Sequence, residues 1–426
     1  MPRALPPRPS LDQLRHQAKD LLKAHHAGDA GSCGVLRSLP KLAAASDAEL
    51  LAASVTLNDA QFALANEYGF ENWRALKQHV EAVTTSRGLR KKDGCTWIEG
   101  VPVLQFGRGK DCTFAGGLEA ATAVSRRPYS YADFMGCSAL AFRVRWHEGW
   151  CPSCTVGEMR EETGAIRTTT GWSINWKTGA GGPEMERFTE DIRKTLDRGM
   201  PVLIYPPDLN IAVAYGYDEE GRVLLLRDHM HGERERRLPV KELGFLLGFL
   251  NDLGEGLPPA ETLRHVLRMA VHNWRRGTGN NGANVYLYGI TALRRWSDDL
   301  LRAQTLNEED CRKLFFLSWL NFATIADARA TAISFLGAQG KTADEIVKAP
   351  LERARALYAK EDAFLGGVFG AKDAFLGPWS RKKFEDWTEE VRQRERGILD
   401  GIHTYEREAV SALEEALAAL DRLAAT

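Results

Sequence analysis

The chain has 426 residues, long enough for two or three domains, and its 56 Lys and Arg nearly cancel its 57 Asp and Glu. That balance gives no electrostatic reason to bind nucleic acid or an anionic membrane in bulk, which leaves a small molecule or a peptide as the easier partner. Seven cysteines, odd in number and scattered, do not make a disulfide framework, so reduced thiols are expected.

The opening run Met1-Pro-Arg-Ala-Leu-Pro-Pro-Arg-Pro-Ser10 lacks the apolar core of a secretory signal, and a cytoplasmic location is expected. Residues 1–83 read as a helical accessory module. Ser10 with Gln13, Ser46 with Glu49, and Asn58 with Gln61 each place a capping side chain three residues ahead of Glu or Gln, which predicts helix starts. Leu11, Leu14, Ala18, Leu21 and Leu22 recur at helical spacing and form an apolar face that needs a partner. The segment from Asp59 to His79 reads as two helices broken at Gly69. Its run Ala65-Asn-Glu-Tyr-Gly-Phe-Glu-Asn-Trp-Arg-Ala-Leu-Lys77 resembles a module found beside ankyrin repeats in bacterial proteins. No repeat of about 33 residues follows, so the resemblance implies only an accessory or interaction role.

Residues 84–94 mix Gly, Thr and charge without an apolar period and are expected to be a linker. Beyond it, residues 95–257 read as an α+β domain. Short apolar runs predict strands at Ala139 to Trp146, Pro201 to Tyr205, Ile211 to Tyr217 and Val223 to Leu226, with helices at about 112–124, 185–198 and 240–250.

The most informative residue is Cys112, at the point where a strand-like stretch and a glycine-bearing turn open a helix. A thiol there feels the positive end of the helix dipole, which favours thiolate, and Lys110 adds a nearby cation. Gln105, seven residues upstream, is placed to fold back and donate to a developing oxyanion. The alternative for Cys112 is an ordinary buried thiol, and for Gln105 a backbone partner in a strand. Cys151 and Cys154 make a lone CxxC with no second pair and no nearby pair of histidines, half of what a zinc site needs, so no metal or other cofactor is expected. Two apolar runs flank Asp218-Glu-Glu-Gly221 and predict a hairpin whose ends lie close together.

Residues 258–426 read as a helical bundle. Thr305 with Glu308 and Thr342 with Glu345 predict further helix starts, and Gly277 to Gly282 a loop between helices. The apolar run Leu314 to Ala326 is shorter than the ~20 residues that span a bilayer, so it reads as a buried helix. Just beyond it, Asp327 and Arg329 either satisfy each other or solvent, or mark a substrate site if they form a buried pair facing the thiol domain. A helix from about Arg381 carries Trp387, Val391, Ile402, Val410, Leu413 and Leu420 in a stripe that suits a bundle or a dimerising coiled coil, so a homodimer is one expectation.

Four segments of the middle domain together resemble the papain-like peptidase C39-like family, in particular the N-terminal domain of butirosin-biosynthesis acyltransferase-type proteins. They are Val101 to Gln105 with Asp111-Cys112, Tyr131 to Arg143, Ile192 to Ile204, and Asn210 to Asp228. The resemblance implies a papain-like fold, a Cys112 nucleophile, a Gln105 oxyanion donor and an Asp228 that orients a base. It also implies a small-molecule or peptide substrate and an acyl-carrier donor. Asn210 stands where the family carries its basic His, and Asn takes no proton near neutral pH. His229 or His231 would then have to approach the thiol from the other strand end. The alternative for both is a polar strand end in solvent. Two functions follow: a cysteine acyltransferase or hydrolase, or a binding or scaffold protein on an enzyme fold that has lost its base.

Overall fold

In the computed structural model the described residues are 5, 11–85, 88–107, 109–152, 159–208, 210–281, 284–370 and 383–425. The chain divides into two compact units, Met1–Lys91 with Asp197–Gly199, and Lys92–Leu196 with Met200–Thr426.

The first unit is helical, with α1 (Leu11–His26), α2 (Cys33–Leu36), α3 (Asp47–Ala52), α4 (Leu57–Glu67) and α5 (Trp73–Thr85). The expected capping box forms at α3: the Ser46 hydroxyl accepts from Glu49 N–H at 3.4 Å while the Glu49 carboxylate accepts from Ser46 N–H at 2.8 Å. At α4 the box sits at Thr56 and Asp59, two residues ahead of the expected Asn58, because this pair makes the reciprocal bonds. Ser10 lies outside the described residues. Leu11, Leu14 and Ala18 of α1 share a core with Leu64, Tyr68, Leu76 and Val80, so the apolar face finds its partner in α4 and α5.

Between Leu89 and Asp252 the chain forms β1 (Leu89–Lys92), β2 (Cys95–Ile98), α6 (Thr113–Thr122), α7 (Tyr131–Cys137), β3 (Arg145–His147), α8 (Met159–Thr170) and β4 (Trp172–Thr178). It continues with α9 (Thr189–Asp197), β5 (Val202–Ile204), β6 (Ala212–Asp218), β7 (Val223–Arg227), β8 (Arg236–Pro239) and β9 (Leu246–Asp252). The architecture is α+β, built on an antiparallel sheet. β6 is its hub. It pairs with β7 along its length, with β5 near its start and with β2 near its end; β7 pairs on to β8, β5 to β9, and β9 to β4. The expected hairpin is β6–β7, with Val213 opposite Arg227, Asp218 opposite Val223, and Gly221 at φ +99° in the turn.

Two segments differ from expectation. Residues 240–250 hold only a 3-10 turn at Val240–Glu242 and then strand β9, since an apolar run as short as Phe245 to Leu250 fits either period and two strand neighbours decide it. Ala139 to Trp146 splits into a 3-10 turn at Leu140–Phe142 and the short strand β3.

The C-terminal part comprises α10 (Pro259–Arg275), β10 (Thr278–Asn281), β11 (Asn284–Tyr288), α11 (Gly289–Arg302), α12 (Glu308–Gly340), α13 (Glu345–Gly370) and α14 (Glu389–Ala425). The stretch after Gly277, expected as a loop, instead enters the β10–β11 pair; Gly282 lies outside the described residues. β11 then pairs with β3, setting Tyr286 opposite His147 and Tyr288 opposite Arg145. α12 is capped by Asn307, whose side chain accepts from Asp310 N–H at 2.9 Å, rather than by Thr305. The stripe on α14, including Val391, Ile402, Val410 and Leu413, is buried within the chain where α14 packs on α10, α11 and α13. One core joins these helices to β3: Trp146 stacks on Trp296 at 4.9 Å, with Tyr288, Phe322, Leu365 and Trp387 around them. No helix among the described residues is long and apolar enough to cross a membrane.

Candidate active site

Cys112 is the N-cap of α6, in extended backbone (φ −78°, ψ 103°), and is 4% exposed. The first turn behind it, Thr113 to Gly116, is buried as well. The sulfur therefore sits at the positive end of a ten-residue helix in a largely dry environment, where a charge partner counts for more than it would in water.

That partner is Arg143. Its Nη1 donates to Cys112 Sγ at 3.5 Å, and the guanidinium is itself 4% exposed. Lys110, the cation expected from the sequence, points elsewhere and pairs with Glu119 at 2.6 Å. The signal for Arg143 was present in the sequence: a charge inside the apolar run Ala139 to Trp146 must be paired or functional once that run is buried.

The helix start is held by a second chain of bonds. Cys112 N–H donates to Tyr131 Oη at 2.8 Å, Tyr131 Oη donates to Asp327 Oδ2 at 2.5 Å, and Asp111 N–H donates to Asp327 Oδ1 at 3.3 Å. Tyr131 opens α7, whose N-cap Ser130 forms a capping box with Asp133, so the phenol is fixed by a well-terminated helix. Burial raises the Asp327 carboxyl, and Tyr131, Arg143 and the amides of Asp111 and Cys112 partly offset it. Burial, then the Asp327 charge, pushes the Tyr131 phenol well up, so it stays a neutral donor. Burial also drives the Tyr205 hydroxyl up to about 12, with Cys112, Tyr286 and Cys151 close enough to add to the shift.

Asp327 and Arg329 do not pair with one another. Arg329, fully buried, donates to the carbonyls of Ala141 at 2.9 Å and Arg143 at 3.2 Å, and pairs with Glu361 at 3.3 Å and with Glu406. It thereby ties the segment bearing Arg143 to α13 and α14. Both residues are buried, Asp327 against the helix start at Cys112 and Arg329 against the segment that carries Arg143.

The histidines are placed as follows. His229 is 2% exposed, its ring 5.0 Å from that of Phe106, and Nε2 lies 2.8 Å from where a Cβ on Gly116 would be. Both ring nitrogens are buried without a hydrogen bond of good geometry, with the carbonyls of Ile211 and Lys110 as polar neighbours. Burial depresses it to about 4, although Asp228 and the carbonyls of Ile211 and Lys110 act the other way, so the ring is neutral at neutral pH. Gly116 is one turn beyond Cys112 on the same face of α6.

Asp228, 2% exposed, orients His231 rather than His229: its carboxylate meets His231 Nδ1 at 2.8 Å and Arg236 at 3.1 Å, and accepts from the amides of Met230 and His231. Burial would raise this carboxyl, but those four donors outweigh it and hold it below the usual range.

Gln105 is exposed, its amide carbon 3.6 Å from the Cβ position of Gly232, and the Asn210 side chain donates to the Asp208 carbonyl at 3.3 Å. The structure thus gathers Cys112, Arg143, Tyr131 and Asp327 into one cluster, sets the His229 ring against the next turn of α6, and leaves Gln105 and Asn210 in contacts of their own.

Cys151 is half-buried; Cys154 lies outside the described residues. Among the described residues no group of three His, Cys, Asp or Glu is arranged to hold a metal ion. No protein-family model and no curated protein matches this chain.

Proposed function

We propose that the chain is a cysteine-nucleophile acyl-transfer enzyme of papain-like type, an acyltransferase or a thioester or amide hydrolase, acting on a small molecule or peptide. One observation carries it: a buried thiol at a helix N-terminus with a guanidinium nitrogen 3.5 Å from its sulfur. A fixed positive charge beside the sulfur and a helix start behind it are what a cysteine nucleophile needs around it. Cys112 attacks an acyl carbonyl, and the acyl-enzyme passes its acyl group to an amine or to water. His229, neutral and against the same face of α6, takes the thiol proton, the part Asn210 cannot play. Tyr131 and Asp327 hold the helix start still.

The second function, a binding protein on an enzyme fold, is favoured by the 4% exposure of Cys112, which leaves a substrate little access without local opening. A single experiment separates them. Incubation with an acyl thioester, followed by intact-mass and peptide mapping, is expected to give one acyl adduct, on Cys112, lost in Cys112→Ala. No adduct, or equal labelling of the other cysteines, would leave the binding function in its place.

A further inference from the structure

The guanidinium of Arg143 is a buried charge with no carboxylate in hydrogen-bond reach, although the Asp327 carboxylate is near enough to feel it. Among the described residues it makes no ion pair, its Nε is buried with no hydrogen bond, and its one side-chain partner is Cys112 Sγ. Arg keeps its proton under all ordinary conditions, so this charge cannot be relieved by titration. A buried charge that no carboxylate bonds directly has donors left for an anion that forms beside it.

Of the two donors that a papain-like site would use for the oxyanion, one is bonded elsewhere and the other is exposed. The backbone N–H of the nucleophile, Cys112, is bonded to Tyr131 Oη at 2.8 Å, and Tyr131 is locked in turn by Asp327. Gln105 stands in the exposed loop beside Gly232. The donor already at the sulfur, with a second N–H unspent, is Arg143.

We propose that Arg143 is a catalytic residue of this site, holding the Cys112 thiolate before attack and the carbonyl oxyanion after it, in place of the glutamine and backbone amide. This rests on the acyl-transfer function proposed above. In the step, the sulfur lone pair forms the C–S bond as the carbonyl π pair moves onto oxygen, so the negative charge travels from one atom beside the guanidinium to another. When the carbonyl reforms, the leaving group departs with the pair of its broken bond, taking the proton that His229 received from the thiol where it needs one. Arg143 donates to both charged species and exchanges no proton. Its fixed charge serves an anionic intermediate better than the neutral thiol and neutral carbonyl, which is what raises a rate rather than only tightening binding.

The test compares two reactions of the same thiol. Iodoacetamide alkylates the thiolate, forming C–S and expelling iodide with no oxyanion. p-Nitrophenyl acetate acylates it through one and releases nitrophenolate, which is read as a burst. Arg143→Gln is expected to lower the acylation rate by ~10²–10³-fold, the usual loss for an oxyanion donor, beyond any fall in alkylation. Arg143→Lys, which keeps the charge but not the planar pair of donors, should recover only part of the acylation. Because both rates are read on one folded population, their ratio is insensitive to the fraction that folds. An unchanged ratio in both variants overturns the role of Arg143 while leaving Cys112 a nucleophile. A wild-type protein that is alkylated at Cys112 but never acylated overturns the acyl-transfer function and this role with it.

Discussion

A Cβ at position 116 would stand 2.8 Å from His229 Nε2, closer than such atoms approach in folded proteins. In an open helix Gly→Ala stabilises by about 1 kcal/mol, whereas forcing a methyl into a packed contact costs about 1–3 kcal/mol. Gly116→Ala is therefore expected to destabilise the wild type but to stabilise a His229→Ala variant, where the ring is gone. Denaturant unfolding of the four proteins gives the coupling, expected at about 1–2 kcal/mol; equal effects in both backgrounds would mean that His229 does not rest on that turn. At this scale the sequence was half legible. Cys112 at a helix start could be read from a strand-like run, a turn and the apolar period after it. The burial of His229 could not, because a polar cluster such as Arg227-Asp-His-Met-His231 looks like a solvated strand end until the fold covers one side of it. Arg143 hid for the opposite reason, since its apolar neighbours made the whole run look like a strand.

Among elements, the approach of α7 to α12 decides whether Tyr131 meets Asp327. Gly136 on α7 allows it: a Cβ there would lie 2.1 Å from the Phe335 ring of α12. Ring and backbone on both sides are buried, so the clash has no exit. Gly136→Ala is expected to lower stability by about 3 kcal/mol or more, at the upper end for overpacking, measured by denaturant midpoint. A loss under about 1 kcal/mol would show that the two helices can slide apart. Element type was legible where a cap or a hairpin turn marks the boundary, as at Ser46, Cys112 and Asp218 to Gly221. It failed at β9 and at β10–β11. Short apolar or Gly-rich runs carry no period of their own there, and pairing with distant strands, β4 and β5 in one case and β3 in the other, sets the conformation.

For the whole second unit, the buried carboxylates link stability to pH. Burial pushes Glu395 up to about 7 although Trp387 Nε1 and Ser318 Oγ donate to it, and burial pushes Glu361 up to about 7 against the pull of Arg329. An acid whose folded value is raised binds its proton more tightly in the native state, so its stabilising contribution is full below the unfolded value near 4.5 and is lost as pH rises through about 7. Glu395→Gln mimics the protonated form. Thermal unfolding from pH ~5 to ~8 should show a smaller fall in Tm for this variant than for wild type; an equal fall would place the linkage elsewhere. The joining of residues 95–257 to the C-terminal helices was not legible, since an arginine that spans α12, α13 and α14 reads in sequence as one more helix charge. Its consequence concerns the order of synthesis. The ribosome makes Cys112 first, but Asp327 is needed to fix its helix start and Glu406, through Arg329, to fix the Arg143 segment. At ordinary elongation rates the last of these follows Cys112 by roughly 15–60 s, so the surroundings of this thiol are completed long after the residue itself is made.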